Sequence, residues 1–172
     1  GRALEMRPGE REPAARGRRG PNDSLAYDLY TQGRYLWLGR TREGHERAIA
    51  YYRKAIERDS SFADAYAGIA AYYLTAYQAN LFGLPEAETY SLVKWGAERA
   101  LALDDQSADA HTLFAISLQW QRNWPGAERE FRRAIQLNPN DPTARGWYSL
   151  LLAGFGDARR REALEQGRRA YE

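Results

Sequence analysis

The side chains that could act as nucleophiles or metal ligands are few in this sequence. None of the 172 residues is a cysteine, so no thiolate can attack a substrate or bind a metal. Imidazole comes only from His45 and His111, which are far apart and do not form the i, i+4 pair on one helix that zinc proteases use. We therefore predict no metal site and no catalytic residue. We interpret His111 as packed between helices and His45 as exposed to solvent.

Acidic and glycine-rich stretches fit structural roles better than catalytic ones. Asp64 and Asp109 occur near the starts of amphipathic segments, where carboxylates cap helices more often than they form paired catalytic acids. The run Gly-Phe-Gly at 154–156 follows no strand pattern and lacks the further glycine of a dinucleotide-binding turn. The sequence thus predicts no cofactor, no small-molecule substrate and no enzymatic activity.

Arginine dominates the positive charge, but acidic residues are interspersed with it. The formal net charge is +2, and of the 25 basic residues only Lys54 and Lys94 are lysine. Residues 1–22 hold six arginines against three glutamates, together with prolines and glycines that break helices. A second arginine cluster, 159–161, has acidic neighbours. We interpret 1–22 as a flexible tail or linker and 159–161 as a solvated helix face, and we do not expect nucleic acid as a partner.

Length and hydropathy indicate one domain that does not span a membrane. At about 100–200 residues per domain, this chain makes a single domain. The least charged stretch, 65–77, is shorter than the roughly 20 apolar residues that cross a bilayer, and residues 1–22 lack the apolar core of a secretory signal. The default expectation is a cytoplasmic location. Because the sequence begins with Gly1 and ends within a helical pattern, we expect a piece of a longer polypeptide.

Three segments of the sequence align with one another and repeat a helical pattern. They are 48–59, 95–104 and 127–139, and each is followed by a turn signal and a new amphipathic segment. Small residues such as Ala70 and Ala115 indicate close helix crossings, beside which larger side chains fill the space. A repeating pattern of this kind is typical of architectures in which stacked units bury one continuous core.

The third unit, 108–141, resembles the tetratricopeptide repeat without a gap. That motif is about 34 residues long, with aromatic, Leu-Gly and Tyr positions on its first helix and Ala, Phe, Ala and Pro positions on its second. The other units match in part, and the second carries an insertion at 78–89. The residues of the third unit that occupy the motif positions are His111, Phe114, Ala115, Leu118, Ala127, Phe131, Ala134 and Pro139.

The resemblance implies an all-α fold, namely a right-handed superhelical α-solenoid of antiparallel helix pairs. About four units follow one another within residues 23–172, and the last unit is incomplete. The expected bounds of these units are 24–62, 63–107, 108–141 and 142–172.

In tetratricopeptide folds the first helix of each pair lines a concave groove, so the resemblance makes this groove the expected site for a protein or peptide partner. Trp120 and Tyr148 are aromatic residues of the kind that anchor peptide interfaces, although they would serve equally well to pack one repeat on the next. The residues expected in the groove are Tyr35, Asp64, Leu74, Asp109, Thr112, Gln119, Trp120, Arg145, Tyr148 and Phe155.

Two further surfaces are candidate contacts. The insertion 78–89 holds Leu81, Phe82 and Leu84, which either fold back over the solenoid or form a docking knob. The incomplete last unit leaves an apolar edge that includes Leu150 and Leu164, which a cap, another domain or a second copy of the chain would cover.

The function expected from this fold is that of a non-catalytic protein–protein interaction scaffold. The opening of the repeat region, 27–44, resembles the repeat arrays of bacterial multidomain signalling proteins and transcriptional regulators, which implies a sensing or docking module within a larger protein. The alternative is a structural subunit or oligomerisation module of a multiprotein assembly, which would use the insertion and the open C-terminal end.

Overall fold

The structure, a computed structural model, describes residues 21–39 and 41–171. These residues form eight α-helices and one short 3-10 helix, and no strand occurs among them. Of the predicted tail, only Pro21 and Asn22 lie within the described residues. The helices are α1 (Ser24–Leu38), α2 (Arg42–Arg58), α3 (Ala63–Gln78), α4 (Glu86–Leu103), α5 (Ala108–Trp120), α6 (Trp124–Leu137), α7 (Pro142–Ala153) and α8 (Arg160–Arg169), with the 3-10 helix at Gly156–Arg159.

Side chains that accept hydrogen bonds from backbone N–H groups cap the starts of five helices. The Asp23 carboxylate accepts from the backbone N of Leu25 at 2.8 Å, and Asp141 accepts from the backbone N of Thr143 at 2.9 Å. Pro142 follows Asp141 at the first helical position, where its missing N–H costs nothing. The remaining capping residues are Thr41, Ser107 and Asn123.

The helices pack as four antiparallel pairs, in which each odd-numbered helix contacts the even-numbered helix that follows it. Each second helix also contacts the first helix of the next pair, and the first helices α1, α3, α5 and α7 contact one another in sequence. Successive first helices therefore point the same way and form one layer of a stack. This arrangement confirms the predicted all-α solenoid of helix pairs.

Small residues set how closely the helices approach. Fully buried alanines recur in pairs on the second helices, as expected for positions at which two helices cross. At Gly96 of α4 an added Cβ would lie 2.8 Å from the carbonyl O of Tyr66 and 3.0 Å from the Cβ of Ala70, so only glycine fits this crossing. The paired alanines are Ala48 and Ala55 on α2, Ala97 and Ala100 on α4, and Ala127 and Ala134 on α6.

Large side chains fill the space beside these crossings. Tyr52 and Phe62 are fully buried near the N-terminal end, where the Tyr30 ring meets Phe62 edge to face with centroids 5.1 Å apart. Ile116 and Phe131 are fully buried in a second cluster that extends from α3 to α8. Half-buried residues of α2 and α3 pack against both clusters, so the core continues along the stack.

A polar network fastens the last pair to the pair before it. Arg159 donates from both Nη atoms to Glu128 at 2.8 and 2.9 Å and from Nε to Glu162 at 3.0 Å. The Tyr148 hydroxyl lies 3.2 Å from Glu128 and 3.0 Å from Glu162, and it accepts from Nε of Arg132 at 3.0 Å. Hydrogen bonds from the Arg159 guanidinium hold the pKa values of both carboxyl groups below their usual range.

Among the residues that the structure describes, no helix is both long enough and apolar enough to pass through a lipid bilayer.

The crossing at Gly96 predicts a pair of opposite effects. We expect Gly96→Ala to lower the free energy of unfolding by about 1–3 kcal/mol, because the new methyl group clashes with backbone. Gly146→Ala in α7 meets nothing within 4 Å, so we expect it to raise that free energy by about 0.5–1 kcal/mol through helix propensity. Urea unfolding followed by circular dichroism measures both, and equal shifts in the same direction would contradict the packing described.

The carboxylates of the polar network predict a pH dependence of stability. Because their pKa values are lowered in the folded state, they stabilise the fold above the unfolded value near 4.5 and lose this effect as the pH falls through the folded value. We expect Glu128→Gln to lower the free energy of unfolding by about 1–2 kcal/mol at pH 7, and by less below pH ~4, because the unfolded chain then binds a proton at this carboxylate and the folded chain gains less from the ionised form.

Urea unfolding at pH 7 and at pH ~3.5 tests this dependence, with the exposed Glu57→Gln as the matched control. If Glu128→Gln lowered the free energy of unfolding at pH 7 by no more than Glu57→Gln does, the polar network would not stabilise the fold as described.

Candidate functional site

The candidate site is a concave cavity of about 690 Å3 along the layer of first helices. Its lining comes chiefly from α1, α3 and α5, with the start of α7 at one end. We refer to this cavity as the groove. It exists because the second helices pack on one side of the first helices and leave their other side without a covering layer.

One edge of the groove is acidic. Asp64 lies in the first turn of α3 and Asp109 in the first turn of α5, where a carboxylate complements the helix dipole. Neither is the capping residue, because Ser107 caps α5 and no side chain caps α3. Asp141, the cap of α7, lines the groove at the same edge. Since the first helices point the same way, their acidic first turns share one edge.

The floor of the groove is apolar. Ala67, Ala71 and Leu74 of α3 lie beside Leu113 and Ile116 of α5. The short alanine side chains leave room above this floor. The aliphatic side chains add apolar surface, which a bound partner would remove from water.

The opposite edge of the groove holds a buried histidine. His45 is only 3% exposed and lines the groove, which corrects the expectation that it faces solvent. Burial lowers the pKa of His45, so the ring is neutral at pH 7. Its Nδ1 atom is buried and has no hydrogen-bond partner among the described residues. Nearby, Nε1 of Trp37 donates to Oγ1 of Thr75 at 2.9 Å, which ties α1 to α3 at this edge.

The insertion folds back over the solenoid. The ring of Phe82 stacks on Tyr72 with centroids 6.3 Å apart, and the guanidinium of Arg42 lies 5.1 Å from the Phe82 centroid. Leu81 lines the groove and Leu84 is half-buried. Of the two arrangements considered for these apolar residues, the structure therefore has the one in which they pack on their own chain.

Four of the ten residues expected in the groove line it: Asp64, Leu74, Asp109 and Thr112. All four lie on α3 and α5. The other six lie outside the lining, on α1, at the end of α5, on α7 and after α7.

Three of these six, Tyr35, Gln119 and Trp120, stand near the ends of α1 and α5. Tyr35 is 79% exposed on α1. Trp120 stacks on Tyr90 of α4 with ring centroids 3.4 Å apart, and it meets Tyr77 edge to face. Gln119 is half-buried, and its Oε1 has no hydrogen-bond partner among the described residues.

The last three pack the fourth helix pair together and against the third pair. Tyr148 is 2% exposed and belongs to the polar network. Arg145 is buried and donates to the carbonyl O of Pro139 at 2.9 Å and to Gln166 at 2.7 Å. Phe155 lies after α7 and meets the Trp124 ring edge to face. This distribution follows the alternative that aromatic residues pack one repeat on the next.

Sequence reasoning missed the α1 side of the groove, which is formed by Tyr30, Arg34 and Trp37. The expected unit bounds place the first unit 39 residues before the second. This offset maps Tyr30 and Arg34 onto Ile69 and Tyr73, which do not line the groove, so the repeat pattern gave no signal for this side.

Within 21–39 and 41–171, no three His, Cys, Asp or Glu side chains stand together as metal ligands. Both ring nitrogens of His111 face oxygen atoms, Glu130 at 2.7 Å and the carbonyl O of Asp105 at 3.0 Å. This histidine therefore bridges α5 to α6 and to the loop before α5, as the sequence predicted.

Solved structures with a similar fold are tetratricopeptide repeat (TPR) domains and related proteins. The Arabidopsis OM64 TPR domain has a TM-score of 0.58 at 19% identity, over 74% of this chain and 94% of that domain. The first TPR of Spaghetti (RPAP3), bound to the HSP90 peptide SRMEEVD, has a TM-score of 0.61 at 14% identity, over 80% of this chain and 98% of that domain. MamA has a TM-score of 0.56 at 20% identity, over 87% of this chain and 78% of the MamA chain.

These likenesses show a TPR-like fold. No protein-family model matches the sequence, and no curated protein matches it.

The packing of Trp120 predicts a structural effect of its removal. We expect Trp120→Ala to lower the free energy of unfolding by about 2–3 kcal/mol, because the ring is half-buried and contacts two tyrosines. Trp124→Ala is the matched control, since Trp124 is exposed and meets only Phe155 among the ring contacts described. We expect that change to cost less than about 1 kcal/mol. Thermal unfolding measures both, and equal losses would contradict this placement of Trp120.

Proposed function

We propose that this chain is a non-catalytic scaffold that binds an extended segment of a partner protein in its groove. The observation that carries the proposal is the groove itself, a cavity of about 690 Å3 with an apolar floor and polar edges. An elongated cavity between parallel helices suits a peptide, whose side chains can reach both edges while its backbone follows the floor.

The charges of the groove indicate which peptides to expect. One neighbour in fold holds an acidic peptide, SRMEEVD. Here Asp64 and Asp109 line the groove, and their carboxylates repel a ligand that brings several acidic residues. The proposed partner segment is therefore neutral or basic rather than acidic.

The biological setting that we propose is a bacterial signalling protein in which this chain is one module. The support is the resemblance of the segment 27–44 to the repeat arrays of such proteins. The groove would then hold a segment of a regulatory partner, and other parts of the protein would carry out the response.

A second candidate function is self-association through the C-terminal face. A cavity of about 660 Å3 lies there between α7 and α8, next to Leu164 and Tyr171, which are 66% and 94% exposed. In a stack of repeats such a surface is covered by the next unit. A second copy of the chain would cover it in an oligomer.

The groove proposal predicts that a groove-filling substitution abolishes peptide binding. Twelve-residue peptides selected from a random display library against the full chain serve as probes. Ala71 is half-buried on the floor of the groove, so we expect Ala71→Arg to weaken binding at least ten-fold by occupying the space. Ala102→Arg, on the exposed side of α4, is the matched control and leaves the affinity unchanged.

Fluorescence anisotropy of the labelled peptides gives the affinities, and thermal unfolding verifies that both variants stay folded. The proposal fails if no peptide is enriched, or if the enriched peptides bind the Ala71→Arg chain as tightly as the unmodified chain. Sedimentation equilibrium tests the second candidate, because a chain that is monomeric at micromolar concentration does not self-associate through Leu164 and Tyr171.

A further inference from the structure

We propose that the arginine-rich segment 1–20 of this chain binds in the groove against Asp64 and Asp109 and competes there with partner segments. The inference rests on the proposed function, because it concerns the same groove.

The described chain begins beside the acidic edge of the groove. The backbone N of Asn22 donates to Asp59 at 2.7 Å, and its side-chain amide donates to Ser61 at 3.2 Å. A salt bridge of 2.7 Å between Asp23 and Arg58 fixes the same point. These contacts hold the start of α1 next to the start of α3, where Asp64 lies in the first turn.

The segment and the groove carry opposite charges. Residues 1–20 contain six arginines and three glutamates. The acidic edge of the groove carries Asp64, Asp109 and Asp141, and the nearest arginines in the chain, Arg18 and Arg19, precede Asn22 by only a few residues. Guanidinium groups bind carboxylates through paired hydrogen bonds, so the segment brings the side chains that this edge favours.

Tethering makes even a weak interaction effective. Twenty residues reach at most about 66 Å when extended, which is enough to follow a groove across four first helices spaced about 10 Å apart. A short tether gives an effective concentration in the millimolar range. A site with an intrinsic Kd of about 0.1 mM is then occupied roughly nine-tenths of the time.

The far edge of the groove supplies an independent indication of a ligand. Nδ1 of His45 is buried in the lining and has no hydrogen-bond partner among the described residues. A buried polar atom without a partner is costly, and the neutral ring can accept one hydrogen bond. A backbone N–H or an arginine N–H of a bound segment satisfies it.

The test uses the full chain with one spin label. Because the sequence has no cysteine, Ala15→Cys carries the only nitroxide. We expect the label to reduce the amide signals of Ala67, Ala71 and Thr112 in the groove by at least half, and to spare that of Ala102 on α4. The combined change Asp64→Asn and Asp109→Asn restores most of the lost signal, and so does 0.5 M salt, which screens the ion pairs.

Matched controls separate the possible outcomes. Glu57→Gln with Glu98→Gln removes the same charge from exposed positions on second helices and leaves the broadening unchanged. The inference is overturned if the groove signals keep their intensity, or if the aspartate changes have no effect. It is also overturned if broadening appears between a spin-labelled chain and a separate 15N-labelled chain, since a second copy is then the occupant.

The two proposals fail in different ways. If selected peptides bind the groove and the label leaves the groove signals intact, only the intramolecular occupant is wrong. If neither peptides nor the label affect the groove, both proposals are wrong. If the intramolecular contact forms, selected peptides bind several-fold more tightly to a chain in which Arg16, Arg18 and Arg19 are changed to Gln, because the segment then no longer blocks the groove.

Discussion

The close approach of helices through small residues is the constraint on which the structure depends. Fully buried alanines lie where the second helices α2, α4 and α6 cross their neighbours, and Gly96 lies so near the backbone of α3 that a methyl group does not fit. Because these crossings hold the second helices on one side of the layer of first helices, the other side of that layer stays uncovered. The groove is thus a consequence of how the pairs close.

The same repetition orders the charges of the groove. First helices that point the same way bring their first turns to one edge, where acids are favoured by the helix dipole. Asp64 and Asp109 stand there for that reason, and Asp141 caps the next first helix beside them. The opposite edge is built differently, since the insertion packs Phe82 on Tyr72 and lies close to the buried His45. An acidic edge and a histidine edge therefore flank an apolar floor.

Sequence reasoning predicted the fold and the part of the groove that lies on regular repeats. Asp64 and Thr112 were expected in the groove and line it, because α3 and α5 begin units that follow the repeat closely. Trp37 was missed because the first unit is out of register with the pattern around it. Trp120 stacks on Tyr90, which directly follows the insertion, and the buried His45 packs on Tyr72, which also contacts Phe82 of the insertion. No repeat pattern specifies where an insertion folds, so these contacts needed the structure.

The most direct measurement of the central claim is the change in backbone amide chemical shifts when a selected peptide is titrated into the 15N-labelled chain. If the uncovered side of the first helices is the binding surface, the largest changes occur at Arg34, Ala67, Ala71 and Thr112. Changes concentrated on second helices, or around Leu164 at the C-terminal face, would contradict the account.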